Sequence, residues 1–288
     1  MSIDALVVGA NGMLGHMVER VLRQKGLSVL STSRDPSSGG NISFDVGTDS
    51  IGEIINTTSP RYVVNAIGII KPRIDESNAD SVRTAVRVNG LFPYELSGAA
   101  SAVGAHVIQI ATDCVYSGSG SFYAEDSLHD PTDVYGKSKS LGEVPADNVL
   151  HLRASIIGPE AGRSTSLWEW VRGNAEGAQL NGFTNHLWNG VTTYHFGLVC
   201  AGLISSENRS CGIRHLVPAD AVTKAELVRA IANASGRDDL TVVDVEAATA
   251  VNRTLSTLHT DFNQAAWASA GYSVPPDVVQ MVVETPLG

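Results

Sequence analysis

Cysteine is scarce in this chain of 288 residues, and Cys114, Cys200 and Cys211 are odd in number and far apart. That excludes a disulfide framework and reads as three free thiols in a reducing cytosol. Long apolar runs are missing as well. The longest reads through Val63 to Ile70, well short of the roughly 20 residues that a membrane span needs. The chain enters a strand-like run at Ile3 with no basic leader before it, so the expected location is cytoplasmic, away from any membrane. Bases are outnumbered, 20 against 30 acids, for a net charge of −10. Nucleic acid and anionic membrane are therefore poor partners. Around His186, His195 and His215 no metal-ligand spacing occurs, and no metal is expected. An anionic small ligand is still allowed, because backbone dipoles act locally whatever the net charge.

What is present is a rhythm. Short apolar runs at Ala5 to Val8, Leu27 to Ser31 and Tyr62 to Ala66 alternate with amphipathic stretches at Met13 to Gln24 and Ile51 to Asn56. That is β-α-β-α-β, a parallel sheet with helices on its faces, and the fold class is α/β. A helical stretch from about Ala79 to Val103, punctuated by Pro93, precedes a strand at His106 to Ala111. A helix over Val134 to Val144 and a strand over Val149 to Ser155 follow. Beyond Gly158 the alternation breaks down, and Gly, Asn and Trp gather between Trp168 and Gly190, where a second, looser lobe is expected. Ala221 to Ser235 has a helical period that ends at Gly236, a natural stop.

The first strand runs into Gly9-Ala10-Asn11-Gly12-Met13-Leu14-Gly15 and then a helix. The first glycine permits a tight turn, the second lets a pyrophosphate approach the backbone, and the third lets helix and strand pack closely. Exposed N–H groups at the helix start add partial positive charge, so a dinucleotide is the expected ligand of Gly9, Asn11, Gly12, Met13, Leu14 and Gly15. The plainer alternative is an ordinary glycine-rich β-α turn. The second strand leads into Thr32-Ser33-Arg34, a hydroxyl and a guanidinium where an acid would be needed to favour a free ribose hydroxyl. Ser33 and Arg34 thus point to NADPH, with NADH possible because Asp35 lies next door and Arg34 can equally be a solvated loop residue. Asp45, with Val46, is placed to meet adenine; its alternative is a cap on a helix beginning near Thr48.

Tyr135 and Lys139 are four residues apart, so on a helix their side chains share one face. They follow the strand that delivers Thr112-Asp113-Cys114 to the edge where parallel sheets hold ligands. A phenol titrates near 10, and a cation about 4 to 6 Å away can lower that by roughly 1 to 3 units. Lys139 is expected to act on Tyr135 in this way, with Tyr135 exchanging a proton as hydride moves and Thr112 holding the carbonyl oxygen. A tyrosine and lysine pairing on an exposed helix face is the structural alternative. In the irregular region Arg163, His186, Trp188 and Asn189, near Trp168, Trp170 and Asn185, offer the aromatic faces and fixed donors that a nucleotide-sugar pocket wants. Asp113 and Cys114 are the candidate substrate contacts on the other side. Against this, tryptophans spaced like Trp168 and Trp170 more often pack a core.

Taken in order, GANGMLG at Gly9 to Gly15, NAIG at Asn65 to Gly68, VNGLFP at Val88 to Pro93, ATDCVYSG at Ala111 to Gly118, YGKSK at Tyr135 to Lys139, LRASIIG at Leu152 to Gly158 and NGVTTYHFG at Asn189 to Gly197 form one pattern. Nearly the whole chain resembles the extended short-chain dehydrogenase/reductases, in the branch of dTDP-4-dehydrorhamnose reductase-like sugar-nucleotide reductases. The resemblance implies a Rossmann-type doubly wound parallel sheet with a smaller C-terminal substrate-binding lobe. The Rossmann domain would hold residues 1–157 and a returning segment at about 190–212, and the lobe 158–189 and 213–288. It implies that Thr112, Tyr135 and Lys139 are the catalytic triad, with Lys139 also binding the nicotinamide ribose. Ala66, Ile67 and Gly68 match the loop over the cofactor, and Asn89 the helical asparagine beside the active site. The implied reaction is NADPH-dependent reduction of the 4-keto group of a nucleotide-linked deoxysugar by a monomer or homodimer. A non-catalytic NADP-binding regulatory subunit and an NAD-dependent sugar-nucleotide epimerase are the competing readings on the same scaffold. Two departures bear on the sugar: Cys114 stands where the reductases commonly carry an aromatic and related dehydratases an acid, and Ile156-Ile157 stands where a tryptophan is common.

Overall fold

The strand Ala5–Val8 (β1) is apolar at every position because both of its faces are covered. Ala5 and Val7 enter the core on one side of the sheet, Leu6 and Val8 the core on the other, the two-residue period of a strand. The structure, a computed structural model, describes residues 2–35, 37, 40–160 and 166–287. Helix Met13–Gln24 (α1) lays Leu14, Met17, Val18, Val21 and Leu22 on the sheet at spacings of three and four. Then come Val29–Ser33 (β2), Ile42–Ser43 (β3), Ile51–Thr58 (α2) and Tyr62–Asn65 (β4). The expected helical stretch is Ala79–Ala85 (α3), a wide π-helical turn over Val86–Leu91, and Phe92–Ala102 (α4). Pro93 sits in the first turn of α4, where its missing N–H has no partner to lose.

His106–Ala111 (β5), Val134–Leu141 (α5), Val149–Arg153 (β6) and Ile156–Ile157 (β7) follow, then Leu167–Arg172 (α6), Gln179–Phe183 (β8), Leu187–Trp188 (β9) and Val191–Thr192 (β10). The chain ends with Thr193–Ser205 (α7), Gly212–His215 (β11), Val222–Thr223 (β12), Lys224–Ala234 (α8), Thr241–Val245 (β13), Thr260–Ala270 (α9) and Val278–Glu284 (α10). Seven strands make one parallel sheet in the order β11-β6-β5-β4-β1-β2-β3, the Rossmann-type arrangement expected, with the order reversing between β1 and β4. β11 carries the sheet three residues past the expected boundary at 212. Helix α9 also lies on the sheet side, packed on α7 so tightly that a Cβ at Gly202 would stand 2.3 Å from Ser269 Oγ. After β7, α6, α8 and the β8–β13 and β9–β12 pairs pack together, their buried side chains continuous with the core on one side of the sheet. Thr223 and Glu226 cap α8 reciprocally, and Gly236 turns the chain at φ +66° just beyond it.

β6 ends on Arg153, which is fully buried and donates to Tyr116 Oη at 2.6 Å, Glu143 Oε1 at 2.5 Å, His129 Nε2 at 3.0 Å and His215 Nε2 at 2.9 Å. His215 also meets the Ser256 carbonyl through Nδ1 at 2.6 Å, which fixes the neutral tautomer with its proton on Nδ1. Burial, then the neighbouring Arg153, push its pKa from 6.5 down to about 4. On acidification the unfolded chain takes up this proton first, so stability is lost as pH falls from about 6.5 towards 4, by about 3 kcal/mol from this group. Urea melts of wild type and His215→Gln across that range check it. The variant should show the shallower dependence, and parallel curves would count against the assignment.

Candidate active site

The turn after β1 has the shape that its glycines require. Gly9 sits at φ +95°, and a Cβ there would fall 2.7 Å from Ile67 Cγ1. A Cβ at Gly15 would stand 2.1 Å from the Gly9 carbonyl oxygen, so helix and strand close together only with glycine here. Gly12 caps α1 without a side chain, and the first turn carries no acid, leaving the N–H groups of Met13 and Leu14 to a ligand. The next loop, Ala66 to Gly68, is set by a residue that sequence reasoning passed over. Asn65, at the end of β4, accepts the Ile67 N–H at 3.1 Å and donates to Gln109 Oε1 at 2.7 Å. Asn89 braces the same loop. Its Oδ1 accepts the Ile69 N–H at 2.9 Å, and its amide nitrogen donates to the Ile69 carbonyl at 3.0 Å and Ser138 Oγ at 3.1 Å. It is buried, with both amide hydrogens engaged.

At the end of β2 the Ser33 hydroxyl is buried with no hydrogen-bond partner among the described residues, and Arg34 beside it is exposed. Asp45 is partly engaged: Oδ1 accepts the Gly47 N–H at 2.7 Å. It thus closes a turn, and α2 begins only at Ile51, later than the expected start near Thr48. Val46 is buried beside it.

β5 delivers Thr112 to the sheet's ligand edge, where Thr112 Oγ1 accepts the Cys114 N–H at 3.2 Å and so shapes the Asp113–Val115 turn. Asp133 caps α5 through the Gly136 N–H at 2.8 Å. Gly136 then lies so close to that turn that a Cβ would meet the Cys114 carbonyl oxygen at 2.2 Å. This approach places Tyr135 and Lys139 beside Thr112. One cavity of about 410 Å³ connects them with Gly12–Leu14 and Ala66–Gly68, and at its far end with Ile156, Ile157, Trp188 and Lys224. Lys139 Nζ donates to the Ile110 carbonyl at 2.9 Å, and burial holds its pKa at about 8 while Glu143 pulls upward. Tyr135 is raised above the ordinary phenol value, by burial first and then by the charges that Cys114 and Asp113 can carry, with the Thr112 hydroxyl acting in the opposite sense. The expected lowering of Tyr135 by Lys139 is therefore corrected. The ammonium is tied to the Ile110 carbonyl, and desolvation of the phenolate dominates at Tyr135. The Cys114 thiol is pushed up to about 12, again by burial first and then by Asp113, so it stays neutral.

Of the candidate substrate residues, Asp113, Cys114 and Trp188 line this cavity. His186 and Asn189 do not. His186 Nε2 meets the Thr249 carbonyl at 3.0 Å, and the Asn189 amide brackets Leu255, accepting its N–H at 2.9 Å and donating to its carbonyl at 2.7 Å. Asn185 brackets Ala247 in the same way. These polar side chains hold the irregular segment 246–256 together with its two isolated bridges, Tyr123 to Leu255 and Leu187 to Asn252. Arg163 lies outside the described residues. Trp168 is core and Trp170 exposed. Lys224 was missed, since a lysine opening an amphipathic helix looks like ordinary surface.

A parallel sheet with a glycine turn at its switch point and a Thr-Tyr-Lys set on one cavity, with Trp188 and Lys224 also in its lining, define an extended short-chain dehydrogenase/reductase. Within that class the chain belongs to the RmlD substrate binding domain family, whose profile matches residues 3–282. It is 34% identical over 146 residues to a dTDP-4-dehydrorhamnose reductase of Streptomyces griseus, 50% of this chain and 45% of that protein, so the chain spans about half the relative's length. A probable low-salt glycan biosynthesis reductase, Agl14, of Haloferax volcanii is 28% identical over 252 residues, 81% of each chain. Among solved structures, dTDP-4-dehydrorhamnose reductase of Bacillus anthracis in complex with NADP superposes with a TM-score of 0.77 over 98% of each chain at 16% identity, a likeness of fold.

Proposed function

We propose that this chain reduces the 4-keto group of a nucleotide-linked deoxysugar with NADPH, Tyr135 giving the proton. The observation that carries the reading is the single cavity running from the uncapped start of α1 to Thr112, Tyr135 and Lys139. The turn Gly9 to Gly15, with Asn11, is shaped for a pyrophosphate. The Ser33 hydroxyl, without a partner among the described residues, suits a 2′-phosphate together with Arg34, beside Asp45 and Val46 at the adenine side. Ala66 to Gly68 would cover the nicotinamide, with Asn89 holding that loop, and Lys139 would hold the ribose. The dihydronicotinamide, when bound, supplies hydride.

Thr112 orients the keto oxygen towards Tyr135 by hydrogen bonding. As charge develops on that oxygen, the Tyr135 phenol transfers its proton there. Lys139, with a pKa of about 8, is mainly an ammonium at neutral pH and stabilises the phenolate that remains. Cys114, Ile156 and Ile157 give the sugar end an uncharged stretch of wall that suits a deoxy carbon, and a neutral thiol stands where related dehydratases carry an acid. Consumption of NADPH with a panel of nucleotide-linked 4-keto-6-deoxysugars tests the reading. Cofactor binding with no turnover across the panel would instead favour a regulatory role on this scaffold.

Arg34→Ala separates the cofactors. The variant should bind NADPH about tenfold or more weakly and NADH almost unchanged, as titration of nucleotide fluorescence would report. Equal losses would remove Arg34 as the reader of the 2′-phosphate.

A further inference from the structure

At the far end of the cavity stands a cation with no evident work in the fold. Lys224 opens α8, and its backbone N–H is pinned to the His186 carbonyl at 2.8 Å. The antiparallel pairing of Val222 with Trp188 and of Thr223 with Leu187 fixes the same corner. Its ammonium lies 5.5 Å from the centre of the Trp188 ring, and that indole is itself held by a 2.8 Å bond from Nε1 to Ser155 Oγ. One face of Trp188 is thus met by a cation. No carboxylate oxygen comes within 4.0 Å of Lys224 Nζ among the described residues; Asp113 acts on it only from farther away. A partly buried ammonium at the positive end of a helix dipole, with no carboxylate in contact among the described residues, costs stability. Folding alone gives no reason for it.

We propose that Lys224 binds an oxyanion of the substrate, so that this site selects ligands carrying a phosphoryl or carboxylate group at the Trp188 end of the cavity. The inference rests on the nucleotide-sugar reading above and adds a recognition residue to it. In a nucleotide sugar this chemistry has two sources, the pyrophosphate at the anomeric carbon and a carboxylate on the sugar ring. In either, the anion would complete the charge that Trp188 alone meets only in part.

The test is calorimetric titration of the NADP-loaded protein with UDP, UDP-glucose and UDP-glucuronate, for wild type, Lys224→Met and Lys224→Arg. Lys224→Met is expected to lose about tenfold or more in affinity, and Lys224→Arg to keep most of it. A loss shared by all three ligands assigns the pyrophosphate, and a loss confined to UDP-glucuronate assigns the carboxylate. Lys224→Met should also melt at or above the wild-type temperature without ligand, because an unpaired cation has been removed. Wild-type affinity for every ligand in Lys224→Met, or a lowered melting temperature together with weak binding by Lys224→Arg, would overturn the proposal. Failure of the wild type to bind any nucleotide sugar would instead overturn the reading on which it rests.

Discussion

Tyr135→Phe is expected to lower turnover by about a hundredfold or more while NADPH binds within about threefold of wild type. The substitution removes one oxygen from a half-buried ring and leaves the ring's packing in place. What it removes is a phenol that burial keeps protonated well beyond neutral pH. The developing alkoxide is a stronger base than phenolate, so a phenol raised in this way still gives its proton, and it does so only when charge appears. The groups proposed to hold the cofactor's phosphates are other residues, on the turn after β1, which lines the cavity, and at the end of β2, beyond its lining, which is why affinity and turnover should part. Steady-state rates with a 4-keto-6-deoxysugar nucleotide and fluorescence titration of NADPH check the two halves separately. Turnover within threefold of wild type would remove Tyr135 as the donor. Loss of NADPH binding would make its role one of architecture.

How much of this could be read in the sequence depends on the range of the interaction. ALVV at Ala5 to Val8 reads as a strand because a parallel strand buries both faces, and GANGMLG reads as a phosphate turn because the reasons for its glycines are local. Tyr135 and Lys139 were legible as a pair because helix geometry needs only their spacing. The balance of forces on Tyr135 was not, since it depends on how much protein covers the phenolate and on Ile110 engaging the ammonium. The polar cluster Asn185, His186 and Asn189 misled for a related reason. Composition cannot distinguish an amide that waits for a ligand from one that ties down a loop 60 or so residues later in the chain. Lys224 becomes visible only when β9 and β12 come together, a pairing of two-residue strands with no periodicity to announce it.

Arg153→Leu is the second large effect expected, and it falls on stability. The guanidinium is fully buried, and four side chains are arranged around it: Glu143, Tyr116, His129 and His215. A buried ion pair adds little over a well-packed apolar pair, but deleting one partner strands the other. Without Arg153, the nearly buried Glu143 carboxylate keeps, within 4.0 Å among the described residues, only the His129 ring at 3.7 Å, which burial favours in its neutral form, and the Tyr116 hydroxyl and His215 Nε2 lose their shared donor. The expected cost is about 3–5 kcal/mol, and the melting temperature should fall by on the order of 10 °C. Replacing Glu143 by Leu as well should restore part of that loss, because no unpaired charge remains inside. Arg153→Lys should rank between, one ammonium being unable to reproduce the planar fork that reaches several acceptors at once. Denaturant melts of the three variants order the explanations. If Arg153→Leu costs under 1 kcal/mol, Glu143 finds water in the folded protein. If the double variant is worse than the single, the network holds the chain by its shape and hydrogen bonds more than by compensating charge.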